Sequence, residues 1–160
     1  MPKMDLIDHE GALSEETIKR LFQLWNSEYP VSIAHDNVND FKNYLNNLEQ
    51  VRHRFITFEG IVVGWQFRFL RSGNRWFGMM VDSKWQGNGL GRKLLKQLQK
   101  DENEIFGWVV TKGDYVKADG SLYRSPLVFY TKHDFKVMEE EVMKTDRLET
   151  VKIYWRKDEE

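Results

Sequence analysis

Val81-Asp82-Ser83-Lys84-Trp85-Gln86-Gly87-Asn88-Gly89-Leu90-Gly91-Arg92-Lys93-Leu94-Leu95 is the stretch that decides how this chain is read. An apolar run from Trp76 to Val81 ends where it begins. Three glycines follow at alternate positions, and then a basic, amphipathic segment starts. That order reads as strand, glycine-rich turn, helix. Such a turn brings bare backbone N–H groups against an anion at a helix N-terminus, where the helix dipole is positive. The first question is which anion.

Upstream, Ile61 to Arg71 alternates as a strand, with Ile61, Val63, Trp65, Phe67 and Phe69 expected on one face and Val62, Gly64, Gln66, Arg68 and Leu70 on the other. Ser72-Gly73-Asn74 reads as a hairpin turn leading into the antiparallel partner Arg75 to Val81. Gly78 within that partner marks a bulge or a close backbone approach. Phe55 to Phe58 and a short piece around Leu6 and Ile7 read as further strands. Between them lie two helical patterns. Ser14 is a helix N-cap followed by Glu15 and Glu16, and Ile18, Leu21, Phe22 and Trp25 share a face until Pro30. The second pattern runs through Phe41, Tyr44, Leu45 and Leu48.

Downstream, Leu90, Leu94, Leu95 and Leu98 form the apolar stripe of a helix beginning near Gly89. Ile105 to Thr111 is a strand, and Lys112 to Leu122 is a polar loop. Ser125-Pro126 starts a short helix to about His133, with Ser as N-cap and Pro at the first helical position. Phe135 to Met143 and Thr150 to Trp155 are the last two strands, joined by a turn near Asp146.

Composition narrows the function classes. With 41% apolar and 31% charged residues over 160 positions, the chain reads as one globular domain spanning 1–160. A net charge of -1 gives no pull toward nucleic acid or acidic lipid, and no apolar run is long enough to cross a bilayer. The first ten residues carry no apolar signal core, which argues for a cytoplasmic location. The absence of cysteine excludes disulfides, thiolate metal sites and a cysteine nucleophile. His9, His35, His53 and His133 are scattered without metal-ligand spacing, so no metal is expected.

Counting residues sorts the anion motifs. A nucleotide P-loop needs Gly-Lys-Ser/Thr after the first glycine, and none follows Gly87. A dinucleotide fingerprint needs a third glycine where Arg92 stands, and the antiparallel hairpin upstream does not suit a βαβ unit. Gln86-Gly87-Asn88-Gly89-Leu90-Gly91 does match Q/R-x-x-G-x-G/A, which resembles the pyrophosphate-binding loop of the GNAT N-acetyltransferase superfamily. The element order resembles that superfamily from about Leu6 to Trp155, most strongly from Met79 to Leu98. A ligand-free glycine turn would share the six-residue pattern, but the flanking strand, helix and Gly-Arg-Lys-Leu-Leu favour acyl-CoA.

The resemblance implies an α/β fold with a GNAT-like mixed, largely antiparallel central sheet flanked by helices. It implies acetyl-CoA as co-substrate, held at its pyrophosphate by Gln86, Gly87, Asn88, Gly89, Leu90, Gly91 and Arg92. It implies that the strand before this loop splays from its neighbour, so that Met79, Met80 and Val81 pair with the pantetheine arm. Phe129-Tyr130-Thr131-Lys132-His133-Asp134-Phe135 resembles the family's F-Y-x-K-x-G-F segment, whose tyrosine protonates the departing thiolate; that role falls to Tyr130. Asp134 replaces the usual glycine, and Asp is one of the few other residues that tolerates the left-handed conformation such a turn needs.

The acceptor side has no motif. Glu28, Asp36, Glu59 and Asp82 lie near element ends, and Glu139, Glu140 and Glu141 lie on a strand where alternate residues share a side; solvated surface is the default for all of them. Trp25, Tyr29, Trp65 and Trp76 are candidates for an aromatic acceptor pocket or for ordinary core. The expectation is an N-acetyltransferase acting directly on a primary amine of a small molecule or protein. The alternative is a non-catalytic acyl-CoA-binding sensor or scaffold. The resembled family includes homodimers.

Overall fold

A computed structural model describes residues 3–111 and 114–158. Met1, Pro2, Glu159 and Glu160 lie outside them, as do Lys112 and Gly113, with which the expected polar loop begins. The elements are β1 (Met4–Glu10), α1 (Glu15–Glu28), α2 (Val38–Asn46), β2 (Glu49–Phe58), β3 (Ile61–Arg71), β4 (Asn74–Val81), α3 (Leu90–Asp101), β5 (Glu104–Val110), α4 (Leu127–Lys132), β6 (Lys136–Lys144) and β7 (Glu149–Arg156). Short 3-10 turns occupy Val31–Ile33 and Ser83–Trp85. The order is that expected from the sequence, with β2 beginning several residues earlier than its β-rich core.

The strands form one sheet in the order β1-β2-β3-β4-β5-β7-β6. Every neighbouring pair is antiparallel except β4 and β5, which run parallel. Helices α1 and α2 cover one face. Leu21, Leu24, Trp25 and Phe41 pack there against Trp65, Phe67, Phe69 and Trp76. The stripe Leu90, Leu94, Leu95 and Leu98 of α3 covers the other face, against Ile56, Val63, Phe77 and Ile105. Burial of that stripe is what holds α3, and with it the glycine turn, on the sheet.

The expected two faces of β3 need correction. Ile56 pairs with Gly64 and Thr57 with Val62, so Val63 is an extra residue in a β-bulge. The bulge flips the alternation. Val62 joins Trp65, Phe67 and Phe69 under α1, while Val63 faces α3. The more polar face of β3 is buried under the C-terminal half of α3. There Gln66 Nε2 donates to the Leu94 carbonyl at 3.0 Å. Arg54 binds Asp8 and Asp101, and Arg68 binds Glu102. These cations sit where the helix dipole is negative. Gly78 lies in unbroken register with Phe67; it marks a close approach, since a Cβ there would stand 2.5 Å from the Phe67 ring.

Two further details differ from expectation. Pro126 is itself the residue before α4, and Ser125 Oγ accepts from the Leu127 N–H at 3.3 Å while donating to the Val110 carbonyl. Glu139, Glu140 and Glu141 do not alternate on a regular strand. The register jumps between Met138 and Val142, and all three are exposed on a bulge.

Candidate functional site

The splay between β4 and β5 creates the site. These two strands pair only at Trp76 and Phe106 among the described residues, and beyond that point they diverge. Phe77 wedges the opening: a Cβ on Gly107 of β5 would stand 2.8 Å from its ring. The Asp82 N–H donates to the Val63 carbonyl at 2.8 Å, so Asp82 faces β3. Backbone groups alternate along a strand, so those of Val81 and Met79 turn into the gap and those of Met80 turn to β3. The Val81 carbonyl accepts from Gln86 Nε2 at 3.0 Å, which folds the glycine turn back against the end of β4.

The turn has the geometry that its glycines allow. Gly87 has φ +83° and Gly89 has φ +77°, left-handed values that L side chains rarely adopt. Gly89 is the residue before α3, and among the described residues no side chain caps that helix. Its first N–H groups therefore remain available to an anion. Gly91 lets the Phe129 ring approach; a Cβ there would lie 3.4 Å from it.

A cavity of about 810 Å³ runs from this turn along the splay. Of the residues read from the glycine motif, Gln86, Gly87, Gly89, Leu90, Gly91 and Arg92 line it, together with Met79, Met80 and Val81. Asn88 does not; its amide braces the turn by donating to the Trp85 carbonyl at 3.0 Å. Arg92 and Arg124 bring positive charge to the cavity. Among the described residues its one lining carboxylate, Glu28, is paired with Lys117 at 3.1 Å. The balance suits a long, anionic ligand with a pyrophosphate group.

Glu28 departs from the expectation of solvated surface. It is 8% exposed, and its Oε2 accepts from both the N–H and the hydroxyl of Ser83, each at 3.0 Å. Asp82 is likewise engaged, with Arg20 at 2.7 Å. Burial alone would raise its carboxyl, but the Lys84 N–H and the Arg20 guanidinium hold it below the usual range. Asp36 and Glu59 are exposed.

Tyr130 lies at the inner end of this cavity, 5% exposed. Its ring meets Phe77 edge-on at 5.6 Å and packs on Phe135 at 5.5 Å. Burial pushes its phenol well above the ordinary value, and the neighbouring Tyr123 adds to this. Tyr123 is itself pushed up by burial to about 12. Asp134 has φ +72°, the left-handed turn that the sequence demands of it.

On the other side of Tyr130 a second cavity of about 250 Å³ opens through the same splay. Tyr29, Met79, Tyr123 and Tyr130 line both cavities and form the junction. Trp25 and Tyr44 wall the second cavity on the helix side, and Trp76 and Trp108 on the sheet side. Trp65 is not there; it is fully buried in the core, with its Nε1 donating to His53 Nδ1 at 3.0 Å. Tyr123, Lys117 and Arg124 were not legible as site residues because they sit in a loop without periodicity. That loop is strapped to the fold by the Val31 N–H, which donates to the Val116 carbonyl at 2.8 Å, and by the Lys117–Glu28 pair.

Comparisons with known proteins identify the family and the fold. Residues 51–137 match the acetyltransferase (GNAT) domain family. No curated protein matches the sequence significantly. Among solved structures, an acyl-CoA N-acyltransferase from Pseudomonas aeruginosa superposes with a TM-score of 0.70 at 13% identity, covering 95% of this chain and 99% of that one. An aminoglycoside 6'-N-acetyltransferase complexed with coenzyme A gives 0.68 at 14% identity, covering 94% and 96%. An N-acetyltransferase from Staphylococcus aureus Mu50 gives 0.62 at 13% identity, covering 95% and 98%. At these identities the likeness is one of fold.

Proposed function

The chain belongs to the GNAT acetyltransferase family, and from that premise we propose that it transfers the acetyl group of acetyl-CoA directly to a primary amine. The observation that carries this reading is the junction at Tyr130, where a glycine-turn cavity suited to coenzyme A meets a second cavity open to an acceptor. Acetyl-CoA supplies the activated thioester carbonyl. The N-terminus of α3 and the turn at Gly87 and Gly89 hold its pyrophosphate, with Arg92 adding formal charge. Val81 and Met79, whose backbone groups turn away from β3, present them to the pantetheine arm. Backbone N–H groups at the end of β4 polarise the carbonyl.

The amine attacks from the second cavity. Tyr130 donates its phenolic proton to the departing sulfur. Its raised pKa keeps that proton in place at any physiological pH. The burial that weakens the phenol as an acid also makes a thiolate formed beside it more basic, so the two remain matched. No acidic side chain lines the second cavity among the described residues, so the ammonium form gives its proton to water, helped by desolvation that lowers its pKa, and the amine attacks in its neutral form.

The test is Tyr130→Phe. Turnover should fall by roughly 10²–10⁴-fold, the range of a lost general acid, while calorimetric acetyl-CoA affinity stays within about twofold. Unchanged turnover would remove Tyr130 from the mechanism. Acetyl-CoA binding without turnover by the unaltered chain, on a broad amine panel, would select a binding module instead.

A further inference from the structure

The lining of the second cavity narrows the acceptor. Among the described residues it contains no Asp, Glu or Lys, and its one charged side chain is Arg71 at the mouth. Arg71 is exposed and lies over the Phe69 ring at 5.0 Å. A second cation stands behind the sheet-side wall: the Lys152 ammonium lies over the Trp76 ring at 5.2 Å and the Phe106 ring at 4.6 Å, paired with Glu141 at 3.5 Å. The walls themselves are aromatic. Trp76 and Trp108 stack at 5.7 Å and 17°, and Trp25 meets Tyr44 at 5.0 Å and Tyr29 at 4.6 Å.

On the reading that this is the acceptor side of an N-acetyltransferase, we infer that the acceptor is a small arylalkyl monoamine, its ring held between the Trp25/Tyr44 wall and the Trp76/Trp108 wall and its amine at the Tyr130 junction. Three observations carry this. Rings on two sides favour a flat apolar body. A second or third ammonium on a polyamine would be buried without a carboxylate and would face Arg71, a desolvated like-charge contact. At about 250 Å³ the space lies below the ~300–1,000 Å³ typical of drug-sized ligands, which excludes an aminoglycoside-sized body from the interior.

The step balances without a further reactant. The amine nitrogen forms a bond to the acetyl carbon and the carbon–sulfur bond breaks. The sulfur takes a proton from Tyr130, and the amine nitrogen gives up the proton that restores Tyr130. The products are the amide and free thiol.

Two measurements test the acceptor class. In calorimetry with the coenzyme A-saturated protein, 2-phenylethylamine should bind saturably and spermidine should not. In thiol-release assays with acetyl-CoA, kcat/KM for 2-phenylethylamine and tryptamine should exceed that for spermidine and kanamycin by 100-fold or more. Trp108→Ala should raise the 2-phenylethylamine KM at least tenfold and leave acetyl-CoA affinity unchanged. Arg71→Glu, an exposed change that does not disturb the core, should raise kcat/KM for spermidine about tenfold. Preferential turnover of spermidine or kanamycin would overturn the inference while leaving the N-acetyltransferase reading intact. An Arg71→Glu variant with unaltered spermidine turnover would also overturn it. Turnover of no amine despite acetyl-CoA binding would overturn both.

Discussion

The Phe135 N–H donates to the Tyr130 carbonyl at 3.1 Å, and the Phe135 ring packs on the Tyr130 ring at 5.5 Å. With the Asp134 N–H donating to the Thr131 carbonyl at 3.3 Å, these contacts make a Schellman ending for α4. The motif fixes the last turn of a six-residue helix that has little cooperativity of its own, and so fixes the phenol that stands at the junction.

Asp134 occupies the left-handed position of that motif, with φ +72°. An L side chain there costs roughly 1–2 kcal/mol, part of which glycine gives back as chain entropy. Asp134→Gly should therefore stabilise the fold by about 0.5–1 kcal/mol in urea denaturation and leave turnover unchanged. A destabilised variant would mean that the Asp134 side chain has a role beyond the turn.

Glu28 ties the end of α1 to Ser83, just ahead of the glycine turn, and to Lys117 in the loop above it. Glu28→Ala leaves the Ser83 donors and the Lys117 ammonium without their acceptor in a buried place. Lys117 reaches solvent more easily than a core cation would, so the cost should be about 1–3 kcal/mol. Glu28→Gln keeps an oxygen for Ser83 and should lose roughly half as much. Equal stability of Glu28→Ala and the unaltered chain by denaturant titration would show that the clamp is dispensable.

His53 gives the stability a pH dependence. It is 4% exposed, accepts the Trp65 Nε1–H on Nδ1 and lies beside His9 across β1 and β2. Burial, and then the charge of His9, lowers its pKa from 6.5 to about 4. The unfolded chain thus binds the proton more readily than the fold does. The stabilisation is complete above pH 6.5 and is lost as pH falls toward 4, on the order of 3 kcal/mol in all. Urea midpoints measured from pH 7.5 down to 4.5 should fall accordingly, and His53→Asn should flatten that slope. Parallel slopes in both proteins would assign the loss to other groups.

Much of this was legible in the sequence because it depends on local pattern. The leucine stripe of α3, the glycines of its turn and the apolar run of β4 each appear within a window of a few residues. What escaped depends on pairing between distant segments. The bulge at Val63 is set by register with β2, so no count along β3 alone could show that Val62 rather than Val63 faces α1. Glu28 looks like a surface acid until Ser83 and Lys117, from two other parts of the chain, are brought to it. Trp25 and Trp76 were seen as pocket candidates, but Trp108, Tyr44 and Tyr123 join them only through the splay between β4 and β5.

The central claim is direct transfer from acetyl-CoA to an amine, and it is tested most directly by product stoichiometry. Purified chain is incubated with acetyl-CoA and 2-phenylethylamine, free thiol is titrated, and the acetylated amine is quantified by mass spectrometry. Amine-dependent release of thiol in a one-to-one ratio with the N-acetyl product is the predicted result. Thiol release that is independent of amine, or acetyl-CoA binding with no amide formed from this or any other primary amine, would contradict it.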